Sequence, residues 1–482
     1  MCWKDTLMRL NTFLATTLLA VLVLPLPVLA GQVRGQETNY TSPGGVTEQC
    51  IALVPMPGGK YRPGDRKREQ KYCGINLYDG NTALCPKLWS TSPGTIIYDL
   101  SPSSYAGRVK QFEQTVCKQS KGAKNMPVNK LAKFKSTMNA SETSGTFSTS
   151  SLLYYHFSRY FDTVVNVPVS VWRSIDRKNH LQRVTKSGVH LSGKSRMLHA
   201  GWLKMESAEE DPTTYHPENE LFTADGRAIH GILLNSPGHR YNTSVNGTRA
   251  SGWGVGQNND FQKTAPYLAL RSEKPLAEAV KRGLHSARNN AKMNHDLGKD
   301  VSAPQMVFWM TELTEITLLD FIFNQQDRIG NIDYLSYWYW LENEQVHRAK
   351  AHDKKMPADL SNKKPLLLKR SQLNDNDAGG RVGHINFTKK TQMLKKQRHY
   401  RAAVYKKLIR LNHDFTAQGE LYQYLRDTFS LSKKQLHHIV KNTAEATAIL
   451  QKTCRAGKLR FDLDPEEFLR TGNVVEQKID CE

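Results

Sequence analysis

Acid is what this 482-residue sequence is short of: 45 Asp and Glu stand against 67 Lys and Arg, for a formal charge of +22. Its densest basic runs, "HRAKAHDKK", "NKKPLLLKR" and "TKKTQMLKKQRHYRAAVYKKLIR", fall between His347 and Arg410. A chain so one-sided suits an anionic counterpart, whether nucleic acid, an anionic glycan, a phospholipid surface or an acidic protein. Past Ala30 the sequence has no apolar run long enough to span a bilayer. It lacks cysteines at zinc-site spacing, because Cys50, Cys73, Cys85, Cys117, Cys454 and Cys481 lie far apart. It has no internal repeat, and its one glycine cluster, "GWGVG", is followed by no P-loop lysine.

What is present begins with a leader. Lys4 and Arg9 precede an apolar stretch from Thr12 to Leu29, and Val28-Leu29-Ala30 supplies small residues for cleavage, so the start reads as a secretory signal peptide cut after Ala30. A retained anchor is the alternative, disfavoured by two prolines in the apolar run. Export turns six cysteines into a disulfide set, four in the first quarter and two near the end, which staples the flanks rather than building the core. The pairing is not legible. The expected location is therefore secreted or the lumen of the secretory pathway, with no transmembrane segment in the mature chain. Secretion sets nucleic acid aside as a partner and leaves an acidic protein, glycan or surface. The sequons at Asn39, Asn139, Asn242, Asn246 and Asn386 are glycan sites if that pathway is eukaryotic.

The length allows one large or two ordinary domains. Gly31 to Gln49 is polar and reads as a flexible lead; Cys50 to Cys117 reads as irregular and disulfide-tied, with one strand at Thr95–Leu100. From Asn129 the pattern firms into a strand, "NKLAKFKSTM", a helix, "SSLLYYHFSRYFDTV", and a strand, "NVPVSVWRSI". Residues 206–260 are polar and rich in Gly and Asn, and loops are expected there. Helices are expected at Leu276–His285 and Pro304–Gln325 and across "QMLKKQRHYRAAVYKKLIRLNHDF" and "SKKQLHHIVKNTAEATAILQKTCRAG", with a β segment near Ile332–Arg370. The expected division is leader 1–30, linker and disulfide-tied region 31–128, small lobe 129–263 and large lobe 264–482.

The chemistry concentrates in "FNQQDRIGNIDYLSYWYW", where a helical pattern gives way to an aromatic, alternating strand. Asp327, Arg328, Gly330 and Asn331 stand between them. A second acidic loop, "NDNDAGG", follows the strand "KPLLLKRSQL". Phosphoryl transfer from ATP needs a carboxylate to orient the attacking hydroxyl, a carboxylate for the metal and a lysine on the phosphates. Asp327, Asp375 and a small-lobe lysine can supply them.

"LLDFIFNQQDRIGNIDYL" followed by "LNDNDAGG" resembles the catalytic and metal-binding loops of the secretory-pathway kinases related to the Golgi casein kinase and the glycosaminoglycan xylosyl kinase. Their pattern runs "FxxxNxDRHxxE" and then "DNGxxFG"; bacterial toxin kinases and lipid kinases with "DRHxxN" are more distant. "AKFK" and "YYHFSRYFDTVVNVPVSVWR" resemble that family's lysine strand, helix and following strand, so the likeness spans Asn129 to Cys454. The resemblance implies an α+β, two-lobed protein-kinase-like fold with a β-rich small lobe and a mainly helical large lobe. It implies a catalytic Asp327 with Arg328 beside it, metal held at Asp375 with Asp377 in reserve, and phosphates held by Lys135 or by Lys133 on the same strand face. The implied cofactors are ATP and Mn²⁺ or Mg²⁺, and the acceptor is a hydroxyl of a protein or glycan.

The departures are specific. Ile329 replaces the family histidine, and Ile332 stands at the second ligand position, so a one-residue deletion would move that ligand to Asn331. Ser150 and Ser151 occupy the place of the glutamate that pairs with the lysine, and Glu142 lies upstream as a substitute. A pseudokinase that binds or scaffolds is therefore the second expectation, and a basic binder of anionic polymers the third.

Overall fold

The computed structural model describes residues 33–119, 123, 126–193, 196–291, 301–351 and 356–482. The expected leader lies outside the described residues. In chain order the elements used below are β1 (Gly35–Thr41), β2 (Thr47–Leu53), α1 (Pro63–Cys73), β3 (Thr82–Pro86), β4 (Thr95–Asp99), α2 (Val109–Thr115), β5 (Asn129–Ser136), α3 (Thr149–Phe161), β6 (Ser170–Asp176), α4 (Arg196–Glu210), β7 (Ala228–Leu234) and β8 (His239–Arg240). They continue with α5 (Leu276–Arg288), α6 (Ala303–Ile322), β9 (Ile332–Glu342), β10 (Gln345–Lys350), β11 (Leu366–Leu373), α7 (Ala402–Ala417), α8 (Glu420–Thr428) and α9 (Lys433–Arg455).

Seven strands form one antiparallel sheet in the order β1-β2-β6-β7-β5-β4-β3, and β8 to β11 form a smaller one. Helices dominate the second half. The architecture is α+β, and strand, helix, strand, long helix, acidic loop, hairpin and acidic loop follow one another in the expected order. No helix among the described residues is long and apolar enough to cross a membrane.

Local sequence explains these elements. β5 alternates, so Ala132 and Phe134 enter the core on one side and Lys133 and Lys135 share the other. α6 is apolar all round and is buried from Gln305 to Ile322. Its three acids each meet an arginine: Glu312 with Arg370 at 2.7 Å, Glu315 with Arg401 at 2.8 Å and Asp320 with Arg328 at 2.9 Å. The β9–β10 hairpin turns on Asn343 and Glu344, both at positive φ, as a two-residue turn matched to strand twist requires.

Three expectations are corrected. The polar lead and the irregular flank together supply β1 to β4, four of the seven strands, because pairing with β6 and β5 gives their backbone groups partners that local propensity does not reveal. Residues 206–260 hold β7, buried at all seven positions between β5 and β6. A strand covered on both faces shows no alternation, so "AIHGILL" is invisible to a periodicity test.

The disulfides pair locally: Cys50–Cys73 joins β2 to α1, Cys85–Cys117 joins β3 to the turn after α2, and Cys454–Cys481 joins α9 to the tail. The N-terminal strands also reach the helical half. Arg34 N–H donates to the Thr428 carbonyl at 3.1 Å, and the Tyr424 hydroxyl donates to the Val54 carbonyl at 2.8 Å. Between them His156 of α3 lies 2.5 Å from the Tyr61 hydroxyl and packs against the rings of Tyr424 and Phe429.

Candidate functional site

Two loops build the site. The first leaves α6 through Asn324 at φ 56° and enters β9 through Gly330 at φ 87°, a conformation that glycine adopts without cost. Asn246 shapes its exit: its Oδ1 accepts from Gly330 N and Ile332 N, both at 3.1 Å, and its Nδ2 donates to the Tyr241 and Ile332 carbonyls. Of the five sequons, Asn246 is thus buried and fully engaged in the folded chain, so it is not open to a glycan. The second loop follows β11 and places Asp375 at φ 49°, in the left-handed region that Asp tolerates.

The loops are stitched together. Gln326 N–H donates to the Ala378 carbonyl at 3.3 Å and Gln325 Nε2 to the Asp375 carbonyl at 3.4 Å. Arg328 is buried between them, with its guanidinium on Asp320, the Asn374 carbonyl at 2.7 Å and Asn376 Oδ1 at 2.9 Å. Asp320 in turn accepts from the Tyr154 hydroxyl of α3 at 2.7 Å. Arg328 therefore acts as a joint rather than as a group open to the cleft.

Lys135 is brought to this joint from β5. Its Nζ donates to Asp377 Oδ1 at 2.5 Å and to Asp375 Oδ1 at 3.1 Å. Burial disfavours its charge, but the two aspartates outweigh that and raise its pKa above the usual lysine value. The Asp375 carboxyl shows the converse: burial pushes it up, and Lys135, Lys87 and Lys133 together hold it far below the usual range. Lys133 donates to Ser236 Oγ at 2.9 Å, and burial with Lys135 nearby lowers it to about 8. Glu142, the substitute acid, faces solvent 4.0 Å from Arg196 and does not reach Lys135. The Oγ atoms of Ser150 and Ser151 are buried without a partner.

Asp327 lies near enough to this cluster for its carboxylate to feel that of Asp375, and its side chain is 37% exposed. Its carboxylate meets Arg249 at 3.1 Å and accepts from Asn331 Nδ2 at 3.2 Å, with the Trp253 indole nearby. Burial raises its pKa against the pull of Arg249. Asn331 is turned to Asp327, with its Oδ1 on Arg240, which also pairs with Asp333 at 2.6 Å and approaches Asp375 at 3.8 Å.

Among the described residues no three His, Cys, Asp or Glu side chains are gathered to hold a metal unaided. One partly open carboxylate, Asp375, fits a cation that completes its shell with phosphate and water. Sequence reasoning missed Lys87, Arg240, Arg249 and Trp253. The last lies in "GWGVG", set aside as a phosphate loop, and no periodicity or spacing marks any of the four.

No protein-family model matches the chain, and no curated protein does. Among solved structures, the crystal structure of the Golgi casein kinase is similar at 10% identity over 85% of this chain and 86% of that one, with a TM-score of 0.38. A likeness so slight transfers no residue role to this chain.

Proposed function

We propose that the protein is a secreted, ATP-dependent phosphotransferase acting on a hydroxyl of a protein or glycan. The observation that carries this is the meeting of Lys135 with Asp375 and Asp377, some 240 residues further along the chain, next to Asp327. When bound, ATP supplies the phosphoryl group, and Mn²⁺ or Mg²⁺ screens its charge. Lys135 would hold phosphate oxygens, and Asp375 would hold the metal with Asp377 or Asn331 as further ligands. Asp327 orients the acceptor hydroxyl and takes its proton at a carboxylate oxygen, while the phosphoryl group passes to the hydroxyl oxygen and ADP leaves. Asp377, in hydrogen-bond contact with Lys135, does for the lysine what a helix glutamate would. The basic surface suits an acidic acceptor.

A catalytically inactive binding or scaffolding protein is the second reading, and a specific observation favours it: Arg249 on Asp327 and Lys135 on Asp375 and Asp377 leave the site's main acids paired. Transfer of radiolabelled phosphate to casein and to glycosaminoglycan separates the two. Wild type is expected to label one of them, and Asp327→Asn to lose at least about a hundredfold in kcat while its ATP affinity changes little. Equal transfer by Asp327→Asn would remove Asp327 from the mechanism. A wild type that binds ATP and labels neither acceptor nor water is the scaffold.

A further inference from the structure

Lys87 begins the turn from β3 to β4, residues 87–94, and is only 6% exposed. Its N–H donates to the Gly94 carbonyl at 2.8 Å, and its stem lies along Gly94, where a Cβ would come within 3.7 Å of Lys87 Cδ. No described residue accepts a hydrogen bond from its ammonium. It stands on the sheet face that carries Lys133 and Lys135, since Cys85 pairs with Ile96 and Ile96 with Lys133. Asp375 and Asp377 attract it, but Lys135 already occupies both. The residue is buried along its stem while its ammonium keeps some exposed area, so the charge is placed to meet a ligand.

We propose that Lys87 is a phosphate-binding residue that joins Lys133 and Lys135 in a three-ammonium cradle for the oligophosphate tail of a nucleoside triphosphate. This rests on the nucleotide reading above and adds to it a residue from outside the expected lobe. Three ammoniums exceed the charge of the two aspartates they face, so a polyanion balances the cluster where a neutral ligand does not. Burial and the two like charges bring the Lys87 ammonium down to about 7, and an anion bound beside it would restore its full charge.

Calorimetric titration of the full chain with inorganic tripolyphosphate, ATP and adenosine, each with and without Mn²⁺, tests this in wild type, Lys87→Met and Lys87→Arg. Lys87→Met is expected to weaken tripolyphosphate and ATP by about tenfold or more, and Lys87→Arg by no more than about threefold. Adenosine binding is expected to be unchanged. A Lys87→Met protein that melts cooperatively and binds tripolyphosphate as wild type does would overturn the proposal; if that variant fails to fold, Lys87→Gln is read by the same criterion. Tripolyphosphate bound without ATP leaves the cradle standing and removes the nucleotide. ATP bound equally by wild type and Lys87→Met removes the cradle and leaves the nucleotide. Neither ligand bound by wild type removes both.

Discussion

Asp375 and Asp377 sit one residue apart in their loop and in very different places: the first side chain is 34% exposed, the second 3%. An open carboxylate can reach a ligand, whereas a buried one fixes a neighbour. Asp375→Ala is therefore expected to abolish Mn²⁺-dependent ATP binding, as followed by calorimetry, while Asp377→Asn disturbs Lys135 and the fold as well. Unchanged Mn²⁺-dependent affinity in Asp375→Ala would move the metal to Asp377 or Asp333. That Asp327, Asp375 and Lys135 come together was legible because each lies in a short run whose residue types match a known chemistry. Lys87, Arg249 and Trp253 were not, since each comes near these acids from a turn or loop whose own sequence asks for nothing but solvent.

Among the elements, α6 shows how a helix can be wholly buried and still carry three acids. Each is matched by an arginine from a different segment, and removing one partner leaves an uncompensated buried charge. Arg328→Met should cost about 3–5 kcal/mol in urea unfolding, and adding Asp320→Asn should recover part of the loss. An additive double variant would mean that the pair does not couple. Helices α3, α5, α6, α7 and α9 and the β9–β10 hairpin were legible from period and turn residues, helices α1, α2, α4 and α8 were not, and among the strands β1, β2 and β7 were not. The first two lie in polar sequence and exist through pairing; the third is apolar without alternation.

Over the whole molecule, pH acts through buried imidazoles. Burial lowers His156 to about 3 and His230 to about 4, so both fold in the neutral form. The unfolded chain takes up these protons near pH 6.5, above the folded values, so the stability is complete above that pH and falls as pH drops toward 4. At pH 5 the loss is about 2 kcal/mol for each histidine, and His230→Gln should flatten the melting temperature against pH in that window. An unchanged slope would place the titration elsewhere. The position of His156 has another consequence. It stands where the segment after β2, α3 and α8 meet, with Arg34 and Val54 bonded across to α8 on either side. Sheet and helices are thereby riveted together at that junction, and neither half can lose its core without exposing the other's. Calorimetry should accordingly record a single endotherm, with van't Hoff and calorimetric enthalpies equal, where two separable lobes would give a pair.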